Sequence, residues 1–507
     1  MSTHTNAEAA SVPVWLLRRL CMVAVVYVLA WTLLPAWLGS SLPLDVVESL
    51  SWGQEWQWGY YKHPPLAPSV LHVFYEVFGV FGPYLLSQLC IALTLWAVWR
   101  TGLRLLDAQR ALIGTVLTMG VAYYNFPAIE FNHNIAQMPL WAGLGYAWVV
   151  AMQTGTLRAW LLLGVLAGAG LLTKYSVAVL LLAMGLYMLA SRAGRAQLRR
   201  TGPWCAVALM LLILAPHGWW LQAAQWLPFV YASERSMAAG GSPHVQALVF
   251  PFTQLAAHAP MLVVLAVVAW RSRKMAHNEP LWRIQRPHVW LLVLGLLPMA
   301  LVVALGVLLG LGLRDMWGSP MWAFSGLLIT SCWPAARWQR IGAGVMRGIG
   351  LWLLLVTAFM ALYMGWGAEL RKRPGRVDWP AAMLAQSAQA TWQAHSQCPL
   401  QIVAGDYWLT GLLSAYSSSR PSVLIDGNPR FSPWVDVDRL LSQGALWVWQ
   451  DSGSQSSPAP PSTLAQAMQT GQGQVQQGQW SIPWPHAPQG PALVLHWQSW
   501  VPVRCQP

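Results

Sequence analysis

The chain has 507 residues, 56% of them hydrophobic and only 9% charged, with 34 Trp and a mean hydropathy of +0.43. Those values exclude an ordinary water-soluble enzyme and predict a polytopic α-helical membrane protein. The net charge of +13 does not argue for nucleic-acid binding, because the basic residues sort by side of the membrane and form no stripe.

A spanning helix needs about 20 apolar residues. Eleven such windows are expected, near 14–38, 84–106, 111–128, 135–152, 159–173, 175–190, 203–217, 247–270, 289–312, 319–335 and 346–367. Met1–Pro13 is polar. Leu20–Leu38 follows Arg18 and Arg19 without a small-x-small cleavage site, and reads as a retained first span. Residues 65–82 are apolar but hold His72 and Glu76. Counted as a span they would put Arg100, Arg104 and Arg110 outside, so a juxtamembrane or partly inserted helix is expected there.

The positive-inside rule tests the layout. It places 18 of the 30 basic residues in inner loops, among them Arg192, Arg195, Arg271, Arg273, Lys274, Arg340 and Arg347. Eight more follow residue 367. The outer side of the membrane region keeps four: Lys62, Lys174, Arg235 and Arg314.

With the N-terminus inside, eleven spans put the tail outside. Residues 1–367 are thus expected to form the transmembrane domain, with a first outer loop at 39–83. Residues 368–507 are expected to form a small soluble extracytoplasmic α/β domain. Apolar runs at Leu400–Ala404, Ser422–Asp426 and Ala445–Trp449 read as strands, and Trp379–Ala394 as an amphipathic helix. Residues 451–490, rich in Ser, Gln, Gly and Pro, read as loops, and Gly240-Gly241-Ser242 as flexible punctuation. Cys398 and Cys505 lie in the tail, where an oxidising compartment would permit a disulfide; sequence leaves their pairing open. The other four cysteines fall in or beside apolar runs and read as packing residues.

The stretch Leu44–Leu66 concentrates Asp45, Glu48, Glu55, Lys62 and His63 beside the first span. Ionisable groups there are costly and usually functional. Asp45 and Glu48 are three apart and share a helix face. Such a pair can act as general base, orient a hydroxyl or hold a divalent ion; it could equally be an N-cap, Asp45 following Pro43. Lys174 interrupts the apolar stretch Ala159–Ala190, and at a tight turn it can present its ammonium to a phosphate. The competing reading of the four outer cations is snorkelling or local pairing with Glu234 or Asp315. Asn132, His133 and Asn134 follow Glu130-Phe131 and suit sugar hydroxyls or a phosphate ester, or else cap the next helix. His217 is placed at the end of a span. His63, His133, His217 and His258 show no recognised metal spacing, and no nucleotide-binding loop is present.

These residues resemble the GT-C glycosyltransferases of the protein mannosyltransferase and aminoarabinose transferase type (glycosyltransferase family 39). The resemblance rests on Asp45-x-x-Glu48 after the first span, Tyr60-Tyr61-Lys62-His63-Pro64-Pro65-Leu66, Asn132-His133-Asn134, Leu171-Leu172-Thr173-Lys174-Tyr175, and a multispan core with an outer C-terminal domain. It implies a bacterial inner-membrane enzyme that takes a sugar from a polyprenyl-phosphate carrier to a lipid, glycan or protein acceptor, as in lipid A or cell-envelope glycan modification. Asp45 then matches the family's first-loop acidic residue, with Glu48 beside it. Lys62, His63 and Lys174 match basic positions near the carrier phosphate. Tyr61, Asn132, His133, Asn134, Tyr175, His217, Arg235 and Arg314 complete the expected substrate-binding set. The expected partners are donor, acceptor and membrane lipids, not nucleic acid. The resemblance implies no definite cofactor, and a divalent ion stays open. The family often has an acidic residue before the Lys-Pro-Pro run; here Lys62 is followed by His63-Pro64-Pro65, which leaves sugar and acceptor open. The alternative is a transporter or flippase of a lipid-linked anionic solute. It would favour mid-membrane charges and internal repeats, neither of which is evident.

Overall fold

A computed structural model describes residues 13–237, 242–272, 285–371, 374–450, 460–487 and 489–506. Residues 1–12, 240–241, 273–274 and 451–459, for which the sequence raised expectations, lie outside the described residues. The chain divides into two compact units. One comprises Met1–Trp31, Lys62–Ala67 and Leu85–Ala358, the other Thr32–Tyr61, Pro68–Tyr84 and Phe359–Pro507.

The first unit is helical, as the apolar runs require. Its helices meet through small residues, the usual device where lipid supplies no hydrophobic force between helices. A Cβ on Gly164 would lie 2.6 Å from the Ala206 carbonyl oxygen, so helices Leu157–Thr173 and Thr201–Ala223 approach at backbone distance. A Cβ on Gly326 would collide with the carbonyl of Gly114, fixing helix Ser325–Ser331 against helix Ala108–Thr118. The core around these contacts is aromatic, with Trp141, Trp148, Trp160 and Phe324 nearly fully buried.

Among the described residues, five helices can each cross a membrane by length and composition: Val14–Leu38, Leu66–Leu105, His133–Thr154, Thr201–Ala223 and Ala335–Arg371. Four bent pairs raise the number to nine, and Leu157–Thr173 is a shorter apolar helix. The expected eleven spans are met only approximately, because several of the apolar stretches are bent or short. Residues 319–335 are the clearest departure. They fall in a 3-10 helix, Asp315–Phe324, followed by the seven-residue helix Ser325–Ser331. Pro320 lacks the amide hydrogen that a helix interior uses, and Gly318 precedes it by two residues. Pro298 at the start of Leu297–Leu309 coincides with the 42° bend there.

In the second unit the helix Leu66–Phe78 presents polar atoms to the C-terminal part of the chain. Glu76 pairs with Arg420, and the Tyr75 hydroxyl donates to the Ala415 carbonyl at 2.9 Å. Those contacts account for Glu76 in an otherwise apolar stretch.

The C-terminal segment forms a five-stranded sheet: β1 Ile402–Gly405, β2 Ser422–Ile425, β3 Ala445–Trp449, β4 Gly473–Ile482 and β5 Leu493–Pro502, in the order β2-β1-β3-β5-β4. β1 runs parallel to β2 and β3, and β5 antiparallel to β3 and β4. β1 and β2 are wholly buried, as parallel strands covered on both faces should be. Helix Ala381–His395 forms where an amphipathic helix was expected. The loop expectation for residues 451–490 is corrected: helix Ser462–Thr470 and β4 occupy much of it. β4 is an edge strand that pairs only with β5, so its mostly exposed face tolerates Gln and Gly and hides the strand pattern. Two β5 tryptophans lie over its glycines: Gly478 sits beneath Trp497 and Gly473 beside Trp500. Cys398 and Cys505 form a disulfide.

Candidate active site

The chain passes from one unit to the other between Tyr61 and Lys62, so the acidic and basic ends of the first loop belong to different units. Each is described by itself.

In the first unit, the tight turn between Leu157–Thr173 and Val177–Ala190 carries Lys174 in extended geometry, φ −161° and ψ 134°. Lys174 Nζ donates to Asn134 Oδ1. Ser176 Oγ donates to Gln137 Oε1 at 2.8 Å, a second tie between this turn and helix His133–Thr154. Asn132 is that helix's N-cap, its amide oxygen accepting from the amides of Asn134 at 2.9 Å and Ile135 at 3.2 Å. The capping reading thus holds for Asn132, while His133 and Asn134 are buried in the first turn. His63 stacks on His133 with ring centroids 3.9 Å apart. The Lys62 ammonium lies over the Tyr231 ring, 5.3 Å from its centroid, a cation–π geometry.

Burial holds the His63 ring well below its ordinary 6.5, and the nearby His133, Lys174 and Lys62 push it further down. His63 is therefore neutral at physiological pH and can accept or donate a hydrogen bond. Two ammonium groups beside hydrogen-bonding imidazoles and an amide form a site suited to an anion.

Tyr175 follows Lys174. Its hydroxyl lies 3.0 Å from His217 Nε2, and its ring stacks on Phe229 at 4.8 Å. His217 is not at a span's end. It is buried within helix Thr201–Ala223, six residues before its last residue. Arg235 lies in the last turn of helix Leu227–Met237 rather than in a loop, and is exposed. Arg314, also exposed, precedes the 3-10 helix. Among the described contacts, none ties Arg235 or Arg314 to the Lys62–Lys174 cluster. Sequence reading missed Tyr231, Phe229 and Gln137. Tyr231 carried a signal, standing four residues before Arg235 and so on the same helix face.

In the second unit, helix Leu44–Gly53 carries the acidic pair on one face. Pro43 is the N-cap residue and Asp45 lies in the first turn, so Asp45 is not the cap. A carboxylate there is favoured by the positive end of the helix dipole. Glu48 is buried, and its Oε1 accepts the Tyr61 hydroxyl at 3.2 Å. Phe431 stacks on Tyr61 at 4.2 Å, and Trp52 packs edge-on against it at 5.7 Å. The helix is held from the C-terminal part. The Leu42 amide donates to the Tyr416 hydroxyl at 3.0 Å, and Gln54 to Ser414 Oγ at 3.2 Å. A Cβ on Gly411 would touch the Val47 carbonyl at 3.2 Å. Glu55, to which sequence gave no role, is raised above the ordinary carboxylate value by burial, against the pull of Ser422, Arg439 and Gln54. Its Oε1 is buried without a hydrogen-bond partner. Among the described residues no group of three or more His, Cys, Asp or Glu could hold a metal ion.

One unit is a multispan helical body that carries the Lys174 turn, the other holds the C-terminal sheet, and the fold is that of a membrane protein of known structure. The profile of the family described as dolichyl-phosphate-mannose-protein mannosyltransferase matches residues 62–220, which contain Lys62, His63, Asn132–Asn134, Lys174 and His217. The whole chain is similar in structure to ArnT from Cupriavidus metallidurans bound to undecaprenyl phosphate. The TM-score is 0.61 at 14% identity, covering 95% of this chain and 98% of that one. The apo state of the same protein matches with a TM-score of 0.59 at 13% identity, covering 96% and 97%. No curated protein sequence matches significantly.

Proposed function

We propose that the protein is a membrane glycosyltransferase that moves a sugar from a polyprenyl-phosphate carrier to a lipid, glycan or protein acceptor. In this reading it sits in a bacterial inner membrane with its N-terminus cytoplasmic. Residues 1–367 form the membrane domain and 368–507 an extracytoplasmic domain. The observation that carries the reading is the cluster of Lys62, His63, His133, Asn134 and Lys174 within a GT-C fold. The similar ArnT structure holds undecaprenyl phosphate, which agrees with an anion of that class.

Lys62 and Lys174 hold the carrier phosphate and stabilise its charge as it leaves, so no general acid is needed. Neutral His63 adds a hydrogen bond without adding charge. The acceptor hydroxyl oxygen attacks the anomeric carbon opposite the phosphate. The bond from that carbon to the phosphate oxygen breaks, polyprenyl phosphate departs, and the acceptor proton passes to Asp45. The anomeric centre is inverted. Glu48, already engaged by the Tyr61 hydroxyl, is the positioning partner of that base. The Tyr175–His217 pair is assigned to sugar or carrier contacts, and Arg235 and Arg314 to longer-range attraction of the anionic lipid.

The test incubates the purified full chain with undecaprenyl-phosphate-linked sugars and envelope acceptors, comparing wild type with Asp45→Ala. Carrier sugar should be consumed by the wild type and spared by the variant. If it is never consumed, yet labelled lipid crosses the bilayer, the transporter reading replaces this one.

A further inference from the structure

Helices Ala259–Ser272 and Ala335–Arg371 enclose a groove of about 890 Å³ that shares no residue with the Lys62–Lys174 cluster. The cause of the groove is local. A Cβ on Gly348 would lie 2.6 Å from Val264 Cγ1, and one on Gly344 3.2 Å from Val268 Cγ1. The helices therefore come close at the glycines, while larger residues beside that line leave a channel. Val263, Val267, Leu351 and Leu355 line it, and Val263 and Leu351 are 60% and 57% exposed. Apolar side chains open to this extent on candidate spans face lipid.

The groove is not uniformly apolar. Arg271, Arg340 and Arg347 also line it, and all three are exposed. Arg340 and Arg347 are two helical turns apart on one face, roughly 10 Å along the axis. From Arg347 the apolar wall runs on to Leu355, eight residues and so about 12 Å further. That is close to the depth of one leaflet of a hydrocarbon core about 30 Å thick.

We propose that this groove is a binding site for an anionic glycerophospholipid, its phosphate on Arg271, Arg340 and Arg347 and an acyl chain along the valine and leucine wall. Guanidinium groups match phosphate oxygens in paired hydrogen bonds, and basic pockets between membrane helices select anionic headgroups. Three cations around one headgroup disfavour a zwitterionic lipid, whose own ammonium they repel. The length of the wall fits an acyl chain better than a long prenyl chain.

Native mass spectrometry of the detergent-purified full chain tests this with palmitoyl-oleoyl phosphatidylglycerol and phosphatidylcholine. Wild type should retain phosphatidylglycerol at least about tenfold more strongly. Arg340→Ala with Arg347→Ala should lose that preference. Arg192→Ala with Arg199→Ala, which removes two exposed arginines elsewhere, should keep it. Val267→Trp fills the groove with every arginine in place and should also lose the bound lipid. Equal retention of both lipids, or full retention in the groove variants, overturns the proposal. So does displacement by undecaprenyl phosphate at equal concentration, or a dimer of the chain that Val267→Trp abolishes.

Discussion

Replacing Lys174 with Met removes one of the two ammonium groups assigned to the carrier phosphate while keeping the length of the side chain. A hydrogen bond to a charged group contributes about 1.5–3 kcal/mol. At 1.4 kcal/mol per decade, affinity for undecaprenyl phosphate should weaken about 10- to 150-fold. The lower end applies if water re-solvates the site, and the upper end if Asn134, whose Oδ1 accepts a hydrogen bond from Lys174 in the wild type, is left facing the phosphate. The assay is titration of the detergent-solubilised chain with undecaprenyl phosphate, read by thermal shift. A second readout follows from His63. Lys174 is one of the charges holding its pKa below 6.5, so Lys174→Met should move that value upward. Any pH dependence of carrier affinity should then move toward neutrality. Arg192→Met, at an exposed position in another helix, is the control for net charge. If Lys174→Met binds within twofold of wild type, or no more weakly than Arg192→Met, the phosphate assignment fails.

Cys398→Ser with Cys505→Ser opens a link between positions 107 residues apart. Loop entropy for about 100 residues puts the loss near 4–5 kcal/mol, seen as a lower denaturation midpoint for the sheet; an unchanged midpoint would contradict it. Glu55 titrates above its ordinary 4.5 in the fold. Between 4.5 and the raised value the folded chain binds more protons than the unfolded one, so stability falls as pH rises through that window and stays lost above it. Glu55→Gln should therefore melt higher than wild type at pH 7 and lose the advantage at pH 4; a lower melting point at pH 7 would refute the burial argument. Gly326→Ala forces a methyl group onto the Gly114 carbonyl and should destabilise by about 1–3 kcal/mol. A normal yield and melting point for that variant would mean the two helices have room to part.

The legible features were those whose signal is local. Buried parallel strands are continuous apolar runs, and β1, β2 and β3 fell where Leu400–Ala404, Ser422–Asp426 and Ala445–Trp449 put them. Lys174 was legible because a charge inside an apolar stretch has few explanations, and the structure gives it Asn134 as a partner. Features that depend on distant residues were hidden. The bends at residues 258, 296 and 119–121 divide apolar stretches that read as straight spans, because hydropathy records composition and not direction. His217 looked terminal because Pro216 precedes it, yet the helix continues to Ala223. The ring of Tyr231 under Lys62 and that of Phe431 on Tyr61 are contacts across long sequence gaps, with no periodic trace. Glu55 could not be assigned for the same reason, since Ser422 and Arg439 lie far along the chain.

The glycines of β4 have a consequence for how the sheet reaches its alignment. Gly473 pairs with Pro502 and Gly478 with Trp497 across a ladder of ten paired residues. A Cβ on Gly478 would lie 2.6 Å from the Trp497 ring, so the indole occupies the space that a side chain would take. Sliding β4 by one residue would turn every side chain to the opposite face. Sliding it by two would drive a Gln or a Trp into that indole. A strand of Gln and Gly has little hydrophobic contrast to define its partner, and here the seat of one tryptophan does so instead. The bare position that resembles a loop in sequence works as a key: it admits one alignment of the hairpin and sterically rejects its neighbours.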